Sequence, residues 1–451
     1  MMKPSRALHV LRERFRLPGE LGLVARGASW SFVLQGAGLG LGYGVHVVLA
    51  RWLGAADYGV YTYVLAWASL LAIPAAMGLP LLMVRFVPQY RIGERWDRLR
   101  GLVQWGSTRV PAVGVGVALA GVVLVTLMDP AGTGAYTRPL RIGLWLIPIQ
   151  ALLSVVGGVY RGFHWIGRAY ALRLLRHATM LVLLVVLWGS GRALTSLDAL
   201  GAVLAAALLV LLGMGGALWH RMPAPVRQAR PIYVPGPWLR VSIPLLLVGG
   251  FVMVLNQTDI LMLGSLLGPE EAGLYQAASR TAALAGLVPV AIAAAADPML
   301  AQLYAEGEHH RLQRLASVAV QWTAGAALAA AVFFIVLGRP VLAFFGEDFV
   351  ASYGVLVILA GGQVFFAGFG LAAGLLNLTG HQQWGMLIFG ASALLNVVLN
   401  GVGIVLLGRP GAALATATAF AVMGIALWRL AKKKVGIDAS IIFAIWGRQS
   451  A

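Results

Sequence analysis

Apolar blocks of about twenty residues alternate with short polar stretches from residue 28 to residue 430. Blocks of this length with few charges are long enough to cross a hydrocarbon layer roughly 30 Å thick as helices. Twelve spans are predicted, at about 28–50, 57–80, 102–127, 141–160, 170–189, 197–219, 242–267, 272–296, 315–338, 352–376, 384–407 and 411–430. The predicted fold class is therefore an all-α integral membrane protein. The final stretch IIFAIWGRQSA is too short to span and is expected at the membrane interface.

The segment His220–Arg240, HRMPAPVRQARPIYVPGPWLR, interrupts the pattern with five prolines and four arginines. Proline at that density blocks a continuous helix, so this segment reads as a linker between two halves. The halves share a weak repeat. LARWLGAADYGVY at 49–61 aligns with LGSLLGPEEAGLY at 263–275 at a constant offset of 214. Turn chemistry alone also produces a match this short. Read as a repeat, both copies run outward at the same topological point. That is a parallel repeat about an axis along the membrane normal. The expected organisation is a basic tail (1–27), an N-lobe of six helices (28–219), a linker (220–241), a C-lobe of six helices (242–430) and a C-terminal tail (431–451), with a cleft between the lobes.

Charge sets the orientation. Of 34 Lys and Arg, 26 fall in alternate loops and the two tails, and about six in the opposite loops. That bias is the positive-inside pattern, with both termini cytoplasmic. It accounts for the basic balance without nucleic acid. Leu8, Leu11 and Phe15 fall on one face among arginines of the N-terminal tail. The tail is read either as lying on the anionic leaflet or as a solvated basic segment. It lacks a signal peptide's apolar core. With no cysteine, the chain has no disulfide framework, thiolate metal site or Cys nucleophile.

Charges inside spans are costly and point to a partner, a cavity or water. Asp259, in VLNQTDILML, and Arg280 lie at similar distances from the short loop GPEE. At 1.5 Å per residue, both would sit about 12 Å deep in an antiparallel hairpin. A salt bridge between them is expected. It either fastens two helices or tunes Arg280, whose planar fork suits phosphate oxygens. Protonation of Asp259 would then break the bridge. Asn256, one turn inward, is a candidate for the same face. Arg109 near the inner end of the third span either snorkels or faces the cleft. Gln35 and His46, eleven residues apart, share a face of the first span; His46 is a core histidine or a proton-coupling group. Gly36, Gly40 and Gly44 form a ridge suited to close helix contact. Asn377, Asn396 and Asn400 lie in or at the ends of late spans, bonding across helices or lining the cleft. Asp297-Pro298 reads as a helix stop.

Several stretches carry a resemblance. VLARWLGAADYGVYTYVLA resembles the opening hairpin of the polysaccharide-exporter, or Wzx-type oligosaccharide flippase, family. IPLLLVGGFVMVLNQTDILMLGSLLGPEEAGLYQAASR resembles its seventh and eighth helices. GLLNLTGHQQW and LNVVLNGVGIVLLGRPGAALATA resemble its late helices, so the ordered set covers both halves. The wider superfamily also holds multidrug/cation antiporters and peptidoglycan-precursor flippases. The resemblance implies a MATE-like fold of two six-helix lobes around a central cleft. It also implies a flippase for polyprenyl-diphosphate-linked oligosaccharides in a bacterial cytoplasmic (inner) membrane, serving O-antigen, capsule or exopolysaccharide synthesis. Its expected partners are the lipid-linked substrate, membrane lipids and polymerase or ligase machinery. A drug/cation antiporter is the alternative.

No HExxH, no GxxxxGK[ST] and no Ser/His/Asp grouping occurs, so neither catalysis nor ATP hydrolysis is expected. No cofactor or metal is expected. Short outer loops argue against a polytopic glycosyltransferase, polymerase or ligase.

Overall fold

The computed structural model describes residues 19–446, with side chains from residue 34 to residue 444. Residues 1–18 of the basic N-terminal tail lie outside the described residues, and residues 19–27 are helical. The helices of the first half are α1 (Gly19–Ala76), α2 (Leu79–Ile92), α3 (Trp96–Met128), α4 (Thr137–Gly143), α5 (Leu146–Gly162), α6 (Ile166–Trp188) and α7 (Ser196–Arg221). A short α8 (Ala224–Gln228) precedes the second half: α9 (Pro235–Leu266), α10 (Pro269–Ala282), α11 (Leu287–Ala305), α12 (His309–Ala343), α13 (Tyr353–Ala367), α14 (Leu371–Leu378), α15 (Gln382–Leu407), α16 (Arg409–Val435) and α17 (Ile441–Trp446).

Among the described residues, eleven helical segments are long and apolar enough to cross a membrane, and the first runs 43 residues from Leu34 to Ala76. It is folded back on itself. Gly54 has φ 76° and ψ 173°, outside helical geometry. His46 Nδ1 lies 3.0 Å from the Tyr58 hydroxyl, whereas twelve residues of straight helix would put about 18 Å between their backbones. The hairpin makes twelve crossings and a multi-pass membrane protein. Several crossings are broken. The second is interrupted at Met77–Gly78 and continues as α2. The eighth tightens to a 3₁₀ turn at Ala283–Gly286, and the tenth is split between α13 and α14. Asp297-Pro298 does not stop its helix; α11 runs on to Ala305. The seventh helix begins at Pro235 rather than 242, with proline in the first turn, where its missing N–H costs nothing.

The two motif copies occupy equivalent positions. Gly268, at the same offset from Gly54, has φ 103° and ψ 175°. A Cβ on Gly59 would stand 1.7 Å from the Pro269 carbonyl oxygen, and one on Gly273 would stand 2.2 Å from that of Ala55. Each copy thus presents its glycine to the other copy's first helical residue, as a pseudo-two-fold axis requires. The repeat is tertiary structure, not turn chemistry alone.

Around this crossing the halves are packed together on the face that bears the two turns. Tyr43 and Phe345 meet edge to face at 5.5 Å, and Tyr58 and Phe349 at 5.9 Å. The Tyr136 hydroxyl donates to the Gly264 carbonyl at 2.8 Å. On the opposite face the linker is clamped to α3: Arg100 donates to the carbonyls of Arg227 and Ala229 at 2.5 and 2.7 Å, and the Ile232 N–H to that of Asp97 at 3.1 Å. The α9 residue Trp238 is fully buried in the N-lobe core and donates to the Tyr90 hydroxyl at 3.0 Å. The C-terminal segment, described as far as residue 446, packs against the C-lobe. Its Ile441 N–H bonds the Gly368 carbonyl at 3.0 Å, and Gln321 donates to the Ala444 carbonyl at 2.6 Å. Burial opposes ionisation of Asp438 there, but bonds from Lys432, Ser440 and Trp428 outweigh it and hold its carboxyl below the ordinary value.

Candidate functional site: a basic cavity between the lobes

Between the lobes lies a cavity of about 420 Å³, walled by α1, α5 and α6 on one side and by α9 and α10 on the other. Its charge comes from two helices. On α6, Arg173, Arg176 and His177 are spaced i, i+3, i+4 and so share one face. Two small residues of α1 admit that face: a Cβ on Gly42 would lie 2.9 Å from the His177 ring, and one on Gly38 3.8 Å from the Arg173 side chain. On α10, Gln276 and Arg280 are one turn apart. With the Gln276 amide oxygen turned toward Arg280, Nε and Nη2 donate to it at 2.9 and 3.2 Å. Arg280 is exposed, so donors of its fork remain free. The Tyr43 hydroxyl and Thr281 Oγ1, 3.1 Å apart, tie the two walls together.

Three arginines and two histidines, His46 and His177, therefore line the cavity, with no aspartate or glutamate among the lining residues. His177 Nδ1 is buried without a protein partner. Guanidinium groups with no acid among the lining residues attract anions more strongly between low-dielectric protein walls than on an open surface. Their planar forks match phosphate oxygens two at a time. Gln150, Gln257, Gln276 and Tyr61 add neutral polar groups to the lining.

Asp259 belongs to a second site. It is 5% exposed inside the C-lobe and accepts hydrogen bonds from the Tyr275 hydroxyl, from Asn400 Nδ2 at 2.8 Å and from Thr416 Oγ1 at 2.7 Å. Asn396 Nδ2 donates to Thr416 Oγ1 at 2.9 Å. The Oδ1 atoms of Asn396 and Asn400 are buried without a partner. The carboxylate and the unpartnered amide oxygens of Asn396 and Asn400 thus belong to one buried hydrogen-bonded network. No group of three or more His, Cys, Asp or Glu suited to a metal occurs among the described residues.

The expected Asp259–Arg280 salt bridge is not formed. The two residues match in depth but not in azimuth: Asp259 points into the C-lobe toward α15 and α16, while Arg280 points into the cavity. Of the other candidates, only His46 joins Arg280 in the cavity lining. Asn256 is exposed and bonds its own helix at the Val252 carbonyl, 2.6 Å away; its neighbour Gln257 faces the cavity instead. Arg109 is exposed on α3 and Asn377 is exposed at the end of α14, both away from the cavity. Gln35 is half-buried, one turn short of Gly38. The expected glycine ridge is on the wrong side: Cβ atoms on Gly36, Gly40 or Gly44 would touch nothing within 4 Å. Gly38 and Gly42, about 200° away around the helix, make the contact. Sequence reasoning missed Arg173, Arg176 and His177, because basic residues near a span's end count toward topology. Their i, i+3, i+4 spacing within the predicted fifth span was the available signal.

Residues 24–304 match the family described as "Polysaccharide biosynthesis protein", and residues 244–402 match MatE. The chain is similar to the probable low-salt glycan biosynthesis flippase Agl15 of Haloferax volcanii, 27% identical over 417 residues, covering 88% of this chain and 81% of that protein. Among solved structures, its fold is similar to a multidrug resistance MATE family transporter of the MOP superfamily in an inward-facing conformation: TM-score 0.73, 14% identity, 90% of this chain and 94% of that one. It is also similar to the lipid II flippase MurJ in an inward closed conformation: TM-score 0.71, 15% identity, 91% of this chain and 87% of that one. These two likenesses bear out the MATE-like fold. The first match spans well over half of the sequence, from the first crossing into the eighth, and with it the chain is placed as a member of the polysaccharide biosynthesis protein family.

Proposed function

We propose that this protein is a flippase that carries a polyprenyl-diphosphate-linked oligosaccharide from the cytoplasmic to the outer leaflet of a cytoplasmic membrane, for assembly of a surface polysaccharide. The observation that carries this reading is the cavity's charge: Arg173, Arg176 and Arg280 with no carboxylate among the lining residues. Such a site suits a diphosphate and repels the cationic cargo of a drug/cation antiporter. In this reading the linker face is cytoplasmic, following the positive-inside bias, and the cavity is closed on the outer side by the paired turns. The glycans are delivered to a polymerase or ligase in the outer leaflet.

Asp259 is the coupling group, changing occupancy by a proton or a monovalent cation as the lobes rock. His46 is held by Tyr58 within the cavity and is a second candidate for that role. The test is deletion of the gene in its host with surface and lipid-linked glycans assayed together. Complete repeat units stranded on the cytoplasmic leaflet, restored by the wild-type gene but not by Arg280→Ala at equal protein level, are expected. Normal glycans with altered sensitivity to cationic drugs would refute the proposal.

A further inference from the structure

A second cavity, of about 270 Å³, opens beside the basic one between α1, α5 and α9. Ser69, Gln150 and Met253 line both, so the two spaces adjoin. Away from that junction the walls are apolar. Ala72, Ile73 and Ala76 come from one face of α1, and Leu245, Leu246 and Gly249 from α9. Its two serine hydroxyls are already engaged. Ser69 Oγ donates to Gln150 Oε1 at 3.4 Å, and Ser154 Oγ to the Ala151 carbonyl at 2.6 Å. Toward the linker face α9 packs closely on the start of α2, where a Cβ on Gly78 would stand 2.1 Å from the Ser242 carbonyl oxygen. Leu81, in the groove's wall, is 40% exposed and so reaches the surface of the bundle.

An amphiphile whose anionic head occupies the basic cavity has to leave its chain somewhere apolar. Moving each methylene into polar surroundings is costly, and two of them already weaken binding about tenfold. From this adjacency we infer that the α1/α5/α9 groove is the seat of the isoprenoid chain, running from the diphosphate at the arginines past Ser69, Gln150 and Met253 to the bilayer. The inference rests on the proposed function, because the head group is the one assigned there. The bare glycine wall at Gly249, where a Cβ would touch nothing within 4 Å, leaves width for a methyl-branched chain.

The test uses the full-length protein in nanodiscs, with undecaprenyl diphosphate and inorganic diphosphate as probes. Two variants, Ala72→Phe and Gly249→Leu, each fill the groove without touching an arginine. Each is expected to weaken undecaprenyl diphosphate by about tenfold or more, with inorganic diphosphate unchanged. A photoreactive group placed on the isoprenoid chain is expected to label the Ser69–Ala76 and Leu245–Met253 segments of the wild-type protein, a readout that does not depend on the variants folding. If the filled variants bind the long-chain lipid as well as the wild type, or the label falls on other helices, the groove assignment is overturned while the cavity reading stands. If neither probe binds the wild-type protein, the phosphate reading fails and the groove falls with it.

Discussion

At the scale of single residues, the cavity separates charge that binds from charge that is held. Arg280 is hydrogen-bonded only to a neutral amide, so its positive charge is available to a ligand in the cavity; Asp259 lies outside the cavity, bonded to three donors of the C-lobe. Arg280→Ala should lower transport about ten- to a hundredfold, the usual worth of a hydrogen bond to a charged group, with folded protein unchanged. Arg280→Lys should recover only part of that, because a point charge cannot grip two oxygens in one plane. Transport rates normalised to purified protein check both. Asn400→Leu should act differently. It removes a donor from a buried carboxylate, a loss of roughly 1–3 kcal/mol, so a lower melting temperature is expected. Asp129 gives a pH prediction. Bonds from the Thr137 hydroxyl and the Gly134, Thr133 and Gly132 N–H groups lower its carboxyl from 3.8 to about 2. A depressed pKa stabilises the fold above the ordinary value, and that contribution fades as pH falls through the folded value. The turn that presents Tyr136 to Gly264 should therefore stay intact down to about pH 4 and loosen toward pH 2, with Asp129→Asn abolishing that dependence. Tyrosine fluorescence of single-site variants along a pH series measures it.

At the scale of elements, glycine placement decides which helices approach. Gly59→Ala drives a methyl into the Pro269 carbonyl, which is backbone and cannot swing away. The two hairpins must separate, at a typical cost of roughly 1–3 kcal/mol. Gly36→Ala, with open space around it, should cost nothing measurable. Thermal unfolding of the two purified variants, side by side, tests whether the crossing at Gly59 and Gly273 is the seam of the fold; equal melting temperatures would sink that account. Gly54 and Gly268 do a different job, since their positive φ lets a helix reverse without a Cβ clash. The breaks at Met77–Gly78 and Ala283–Gly286 interrupt crossings on opposite lobes. Hydropathy passed straight through both breaks, because an apolar residue reads the same in a helix or a turn.

At the scale of the whole molecule, the lobes meet tightly on the turn face through Tyr43–Phe345, Tyr58–Phe349 and Tyr136–Gly264. The proposed transport cycle requires that face to open. The chain has no cysteine, so Tyr43→Cys/Phe345→Cys joined by a short thiol-specific linker is a clean probe. Cross-linking should arrest transport and reduction should restore it. Unimpaired transport by the cross-linked protein would exclude opening there. The linker and Trp238 bind the start of α9 to the N-lobe, while Asp259 farther along the same helix is bonded within the C-lobe. One helix thus belongs to both bodies, which gives any relative motion a direct route to the Asp259 network.

Much of this was already written along the chain. Span number followed from the length of the apolar blocks, since a bilayer accepts only about twenty residues per crossing. The repeat was legible because its Leu-Gly and Gly-Tyr positions are the turn and the seam themselves. Asp259, Arg280 and His46 stood out because ionisable groups in apolar blocks are rare. Tertiary structure alone decided their company. Depth along a helix can be counted from sequence, but azimuth depends on how neighbouring helices rotate and kink, and that is set by packing between residues far apart in the chain. So Asp259 turned toward Asn400 and Thr416 rather than Arg280, Gln257 rather than Asn256 met the cavity, and arginines counted as topology became the cavity's charge.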